Sequence, residues 1–296
     1  MRFSIFLVAA FAGLLACDRQ PAPGVPALRD SAATAVQAID SGVSNAAPVE
    51  IERPELARYF QQVAADSGAF VLLDLSANQI IRCNPIRCAT GFLPASTFKI
   101  FNALVGFETG VAPDTNFTLQ WDSVRRSIPN WNHDQNIAEA FRNSTVWFYQ
   151  ELARRIGQQR MQEWVSREGY GNRNINGGID QFWLTGELRI SPNQQVEFLR
   201  RLFQGNLSFS KRTTEMVQQM MLRRDTLGYR LRAKTGWGRM GDRQIGWIVG
   251  WIERPQGAAM FALNLESRDP NYPMVKARME VLNGILKEVA ILPKAW

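Results

Sequence analysis

Residues 244–253 alternate in a way that few folds can accommodate. Ile245, Trp247, Val249 and Trp251 take every second position, with Gly246, Ile248 and Gly250 between them. Period-two alternation marks a β-strand, whose successive side chains point to opposite faces. Here both faces are apolar or small, which suits a central strand of a sheet covered on each side. Strand signals also mark 229–235 and 258–265; earlier, 68–75 reads as a buried strand and 79–82 as its hairpin partner. Helical spacing marks 54–65, 96–106, 145–155, 192–203, 213–221 and 276–289, and residues from about 112 to 187 are helix and loop. With 296 residues, 46% of them hydrophobic, the chain can bury a full core as one large domain or two lobes. The expected class is α/β, of the α+β type: one antiparallel central sheet flanked by terminal helices, with an all-helical lobe inserted after the first hairpin.

The sequence Ser96-Thr97-Phe98-Lys99 places a hydroxyl and an amine three residues apart where a helix begins. On a helix such positions share a face, and their side chains can meet. Serine needs a partner that takes its proton, and a lysine serves only once it has lost its charge, which apolar surroundings favour. By itself the motif is weak, since chance supplies about one in a chain of this size. Ser208-Phe209-Ser210-Lys211 is a second copy, set just after a loop signal at 204–206. What distinguishes the first copy is a single Lys234-Thr235-Gly236 far downstream, because Ser-x-x-Lys followed by Lys-Thr-Gly is the pairing of penicillin-recognising serine enzymes.

Composition removes other chemistries. The only histidine, His133, argues against a Ser-His-Asp triad, and with two cysteines it does not make a metal-ligand set. Cys83 and Cys88 are either a small disulfide loop or two separate thiols. The formal charge of +7 is scattered as arginines with no dense run, which argues against a nucleic-acid partner and for attraction of small anions. Residues 1–16 carry one early charge and an apolar run too short to span a bilayer comfortably, as an export signal does. Leu14-Leu15-Ala16-Cys17 resembles a bacterial lipobox, which implies cleavage before Cys17 and lipidation of its thiol; Asp18 resembles an inner-membrane retention signal. The expected location is the periplasm, anchored to the inner membrane, the alternative being a plain secretory signal. Residues 17–50 then form the lipidated cysteine and a flexible Ala-, Pro-, Ser- and Gly-rich tether, ahead of a catalytic domain over 51–296.

Three further segments complete a pattern: Ser144-Thr145-Val146, Tyr170-Gly171-Asn172 and Phe182-Trp183-Leu184. With Ser-Thr-Phe-Lys before them and Lys-Thr-Gly-Trp after, in this order and spacing, the chain resembles the class D (OXA-type) serine β-lactamases from about residue 70 to the C-terminus. That resemblance implies the serine β-lactamase and penicillin-binding transpeptidase fold, and hydrolysis of β-lactam antibiotics through a serine acyl-enzyme. It implies Ser96 as nucleophile, Lys99 as general base carrying CO2 as a carbamate, and Ser144 as proton relay. It further implies that Lys234, Thr235 and Arg278 face the substrate carboxylate, that Gly236 and Trp237 line the substrate site, and that the N–H groups of Ser96 and Trp237 form an oxyanion hole. Trp183 would hydrogen-bond the carbamate while Phe98, Val146 and Leu184 keep water away; CO2 or bicarbonate would be the only co-reactant, bound covalently on Lys99.

Plainer readings stay open. Ser144 could be only a helix N-cap, Trp183 and Leu184 only core, Arg278 a solvated helix face, and Tyr170-Gly171-Asn172 a turn that shapes the site. The rival functions are a penicillin sensor that deacylates slowly, a cell-wall transpeptidase or carboxypeptidase, and a non-catalytic lipoprotein with a relict pocket. Substrate spectrum, and monomer against homodimer, are left open.

Overall fold

The computed structural model describes residues 47–296. The expected signal segment, Cys17 and most of the tether lie outside the described residues. Seven strands form the main sheet: β1 (Val49–Glu52), β2 (Ser67–Asp74), β3 (Gln79–Cys83), β6 (Leu222–Thr226), β7 (Tyr229–Met240), β8 (Arg243–Arg254) and β9 (Gly257–Ser267), in the order β1-β3-β2-β9-β8-β7-β6. A separate two-stranded piece pairs β4 (Thr118–Leu119) with β5 (Gln135–Asn136). The helices are α1 (Ala57–Gln62), α2 (Pro85–Ala89), α3 (Lys99–Glu108), α4 (Ile137–Asn143), α5 (Val146–Ile156), α6 (Gln158–Arg167), α7 (Pro192–Gln204), α8 (Lys211–Met220) and α9 (Met274–Glu288).

The alternation in β8 sorts the molecule into two cores. Ile245, Trp247, Val249 and Trp251 join Val71 of β2 and Met260 of β9 under α3, α5 and α7. Ile248 and Ile252 join Phe70, Phe261 and Leu263 on the opposite face, beneath α1 and α9. The expected architecture is therefore present, with the terminal helices on one face and the helical segments between the strands on the other. Four strands were not foreseen: β4 and β5 fall in the stretch read as an all-helical lobe, and two more lie at the edges of the main sheet. Polar β1, which straddles the boundary expected at residue 50 between tether and catalytic domain, pairs parallel with β3, so the sheet is antiparallel except at that edge; β6 pairs antiparallel with the start of β7. Cys83 and Cys88 are buried free thiols, so the disulfide alternative is not realised; the Cys88 thiol donates to the Cys83 carbonyl oxygen at 3.2 Å. Burial pushes these thiols up to about 11 and about 12 respectively.

Candidate active site

The helical start expected at Ser96 is a 3-10 turn over Ala95–Phe98 that runs into α3. It puts the Lys99 Nζ 2.7 Å from the Ser96 Oγ. Ala95, just before the serine, has φ +48, a left-handed backbone that a residue with a Cβ holds only when its surroundings fix it. Those surroundings are visible. The Ala95 N–H donates to the Trp183 carbonyl at 3.0 Å, and the Trp247 indole N–H donates to the Leu93 carbonyl at 2.9 Å. Behind the turn, the Gln195 amide of α7 donates to the Thr97 hydroxyl at 3.0 Å, which donates to the Pro94 carbonyl at 2.8 Å. Gln195 is a supporting residue that the sequence did not reveal, since it reads as one more polar position on a helix.

Lys99 is fully buried, and desolvation pushes its amine down to about 7, within reach of the neutral form at ordinary pH. Its Nζ lies 5.5 Å from the centre of the Tyr149 ring. Phe98 packs beside it, stacked on Trp183 at 5.2 Å and edge-on to Phe182 at 4.9 Å. The Trp183 Nε1 is buried without a hydrogen-bond partner among the described residues. Val146 opens α5 half-buried, and Leu184 is half-buried against the same core. The second Ser-x-x-Lys is no rival, because Ser208 is exposed and the Lys211 side chain is 90% exposed.

Ser144 is not an N-cap. It ends α4 with φ +57, Thr145 takes the N-cap position of α5, and the Ser144 Oγ accepts a 2.8 Å hydrogen bond from the Lys234 Nζ. Lys234 also donates to the Thr235 carbonyl at 3.1 Å. Burial, then the charges of Lys99, Arg223 and Arg278, hold its amine well below the usual lysine range. Nor is Arg278 a solvated face: it is buried, its Nη1 donates to the Gly236 carbonyl at 3.0 Å, and its Nε has no partner among the described residues. Burial and the Arg223 charge bring it down to about 10. Gly236 lets β7 lie against the nucleophile turn, because a Cβ there would stand 2.9 Å from the Pro94 carbonyl oxygen. Thr235 is half-buried beside it, while the Trp237 ring is 49% exposed, its N–H donating to Gln244 at 3.0 Å.

The Tyr170-Gly171-Asn172 segment is a turn that shapes the site. Gly171 has φ +56 and no room for a side chain, a Cβ there falling 2.2 Å from the Arg189 carbonyl oxygen. Asn172 clasps Arg189 through its own N–H at 2.8 Å and its side-chain oxygen at 3.0 Å. Tyr170 is buried edge-on to Phe98 at 5.7 Å. His133, bonded at 2.9 Å to Glu139 and exposed, supplies no base to Ser96.

The arrangement can do acyl transfer: a serine in contact with a buried amine that burial brings down to about 7, a second lysine–serine pair, and buried basic groups without a carboxylate partner among the described residues. Comparison with known proteins agrees. The penicillin-binding protein transpeptidase domain family matches residues 68–287. The β-lactamase OXA-48 of Klebsiella pneumoniae is 38% identical over 226 residues, 76% of this chain and 84% of that one. The probable β-lactamase YbxI of Bacillus subtilis is 40% identical over 199 residues, 67% of this chain and 74% of its own. Among solved structures, a class D β-lactamase from Nostoc superposes with a TM-score of 0.77 at 44% identity, covering 81% of this chain and 100% of its own. Motifs, fold and site geometry, with these likenesses, place the chain in the class D serine β-lactamases.

Proposed function

We propose that the protein hydrolyses β-lactams through an acyl-enzyme on Ser96. The observation that carries this is the 2.7 Å contact between the Ser96 Oγ and a fully buried Lys99 whose amine sits near 7. A neutral amine at that distance can take the hydroxyl proton as the oxygen attacks the lactam carbonyl, so that a C–O bond forms as the ring C–N bond breaks. The N–H groups of Ser96 and Trp237 bind the oxyanion, and an oriented N–H is worth most in such a water-poor site. Ser144, held by Lys234 at 2.8 Å, relays to the departing ring nitrogen the proton that Lys99 took from Ser96, which leaves Ser144 protonated and Lys99 neutral again. Thr235, Lys234 and Arg278 hold the carboxylate beside the ring, Arg278 being suited to two-point contact. Water then cleaves the ester and frees Ser96.

Lys99 fits a carbamate. Its amine is neutral enough to capture CO2, and the unpartnered Trp183 Nε1 offers a donor for the oxygen that would result. When bound, the group supplies an anionic oxygen base in place of a bare amine. Val146 and Leu184 limit water beside it. Turnover of a chromogenic cephalosporin in bicarbonate-depleted buffer tests both halves. The expected result is a rate that falls on depletion and recovers when bicarbonate returns. A flat bicarbonate titration leaves Lys99 as a free-amine base, and absence of turnover at any bicarbonate concentration overturns hydrolysis; a penicilloyl adduct that persists would mark a sensor.

A further inference from the structure

We propose that Arg223 is a third cation recognising the substrate carboxylate, alongside Lys234 and Arg278; this rests on the β-lactam reading above. Arg223 sits where the β6–β7 ladder slips. Leu222 faces Arg232 and Arg224 faces Leu231, adjacent residues of β7, so Arg223 is the extra residue of a bulge. Bulges re-aim side chains, and they recur beside active sites. The ladder also ends there: the Ala233 N–H donates to the Met221 carbonyl at 2.8 Å, and beyond it residues 234–240 of β7 have no strand on that side among the described residues. Arg223 thus stands at the end of β6 nearest the open edge that carries Lys234 and Thr235.

Its neighbours are engaged elsewhere. The Arg224 guanidinium lies 4.2 Å over the Trp296 ring, and Asp225 pairs with Arg230 at 3.1 Å. Arg223 is exposed and has no hydrogen bond, ion pair or ring contact among the described residues. Its charge nevertheless bears on both buried cations: it acts on Lys234 more strongly than Arg278 does, and it is the named charge that lowers Arg278. These three basic groups, with no carboxylate between them among the described residues, form an anion site whose counter-charge arrives with the substrate.

The test compares benzylpenicillin with its methyl ester, which keeps the ring and removes the anion. Arg223→Gln is expected to lower kcat/KM for the acid about threefold, mainly through KM, as a partly exposed charge pair would. It should also flatten the salt dependence and leave the ester unaffected. Arg223→Lys should restore most of the loss, and Arg224→Gln should behave like wild type. If wild type turns over the acid but Arg223→Gln matches it in kcat/KM and salt dependence, the role of Arg223 is overturned while the proposed function stands. Equal loss on acid and ester would mean a packing effect and would also overturn it. Wild type inactive on both would overturn the function reading and this inference together.

Discussion

Lys99 shows how one residue couples stability to chemistry. A lysine with no carboxylate partner in a dry core is kept there at a cost, because the unfolded chain keeps its amine protonated up to its ordinary value of 10.5 while the folded chain releases the proton near 7. Between those values the unfolded state binds more protons. Stability therefore rises as pH climbs from about 7 towards 10, and the penalty is complete below about 7. Lys99→Met should thus melt several degrees higher than wild type at pH 7, with the gap closing by pH 10, and should lose turnover at every pH. Thermal melts from pH 6 to 10 check this; a melting difference that stays constant across the range would mean that Lys99 is not neutralised by burial. The same arithmetic places the acid limb of activity near the pKa of Lys99, since the protonated amine can neither accept the Ser96 proton nor capture CO2.

At the scale of elements, the site is a seam between strand β7 and the turn that opens α3. The loop carrying Trp183 closes the third side, and it is held by the Gly171 turn and by the Ala95 bond to the Trp183 carbonyl. Gly171→Ala forces a Cβ against backbone that cannot move aside, at a left-handed φ. It should destabilise the fold by about 1–3 kcal/mol and reduce turnover by loosening the wall that carries Trp183. Urea unfolding measures the first effect, and an unchanged midpoint would contradict it. These elements differ in how far they could be read from the chain. β8 was legible because its alternation is written in its own side chains, and the motifs were legible because their spacing survives in one dimension. β1 and β6 were not: Val49–Glu52 and Leu222–Thr226 are mostly exposed and polar, and they are strands only through backbone bonds to distant partners. For the same reason the contact of Gln195 with Thr97, 98 residues apart, left no local signal. The placements of Ser144 and Arg278, left open by the sequence, likewise depend on partners far along the chain.

The whole molecule places unlike demands on one sheet. Its two faces bury separate cores, which fixes β7, β8 and β9 as a rigid wall, and one stretch of the β7 edge stays free to meet a substrate. The net charge of +7 is scattered in sequence, yet the fold brings Lys234, Arg278 and Arg223 close enough for their charges to act on one another, with no acid between them among the described residues. Under the proposed function, long-range attraction would favour anionic substrates, and the buried Ser96–Lys99 contact would supply the reaction. The most direct measurement is rapid-quench intact-protein mass spectrometry with benzylpenicillin on wild type and on Ser96→Ala. The expected result is a penicilloyl adduct on wild type that appears, decays as product forms, and localises to the peptide containing Ser96, with no adduct on a folded Ser96→Ala. An adduct of equal yield on Ser96→Ala, or hydrolysis by that variant at the wild-type rate, would contradict the central claim.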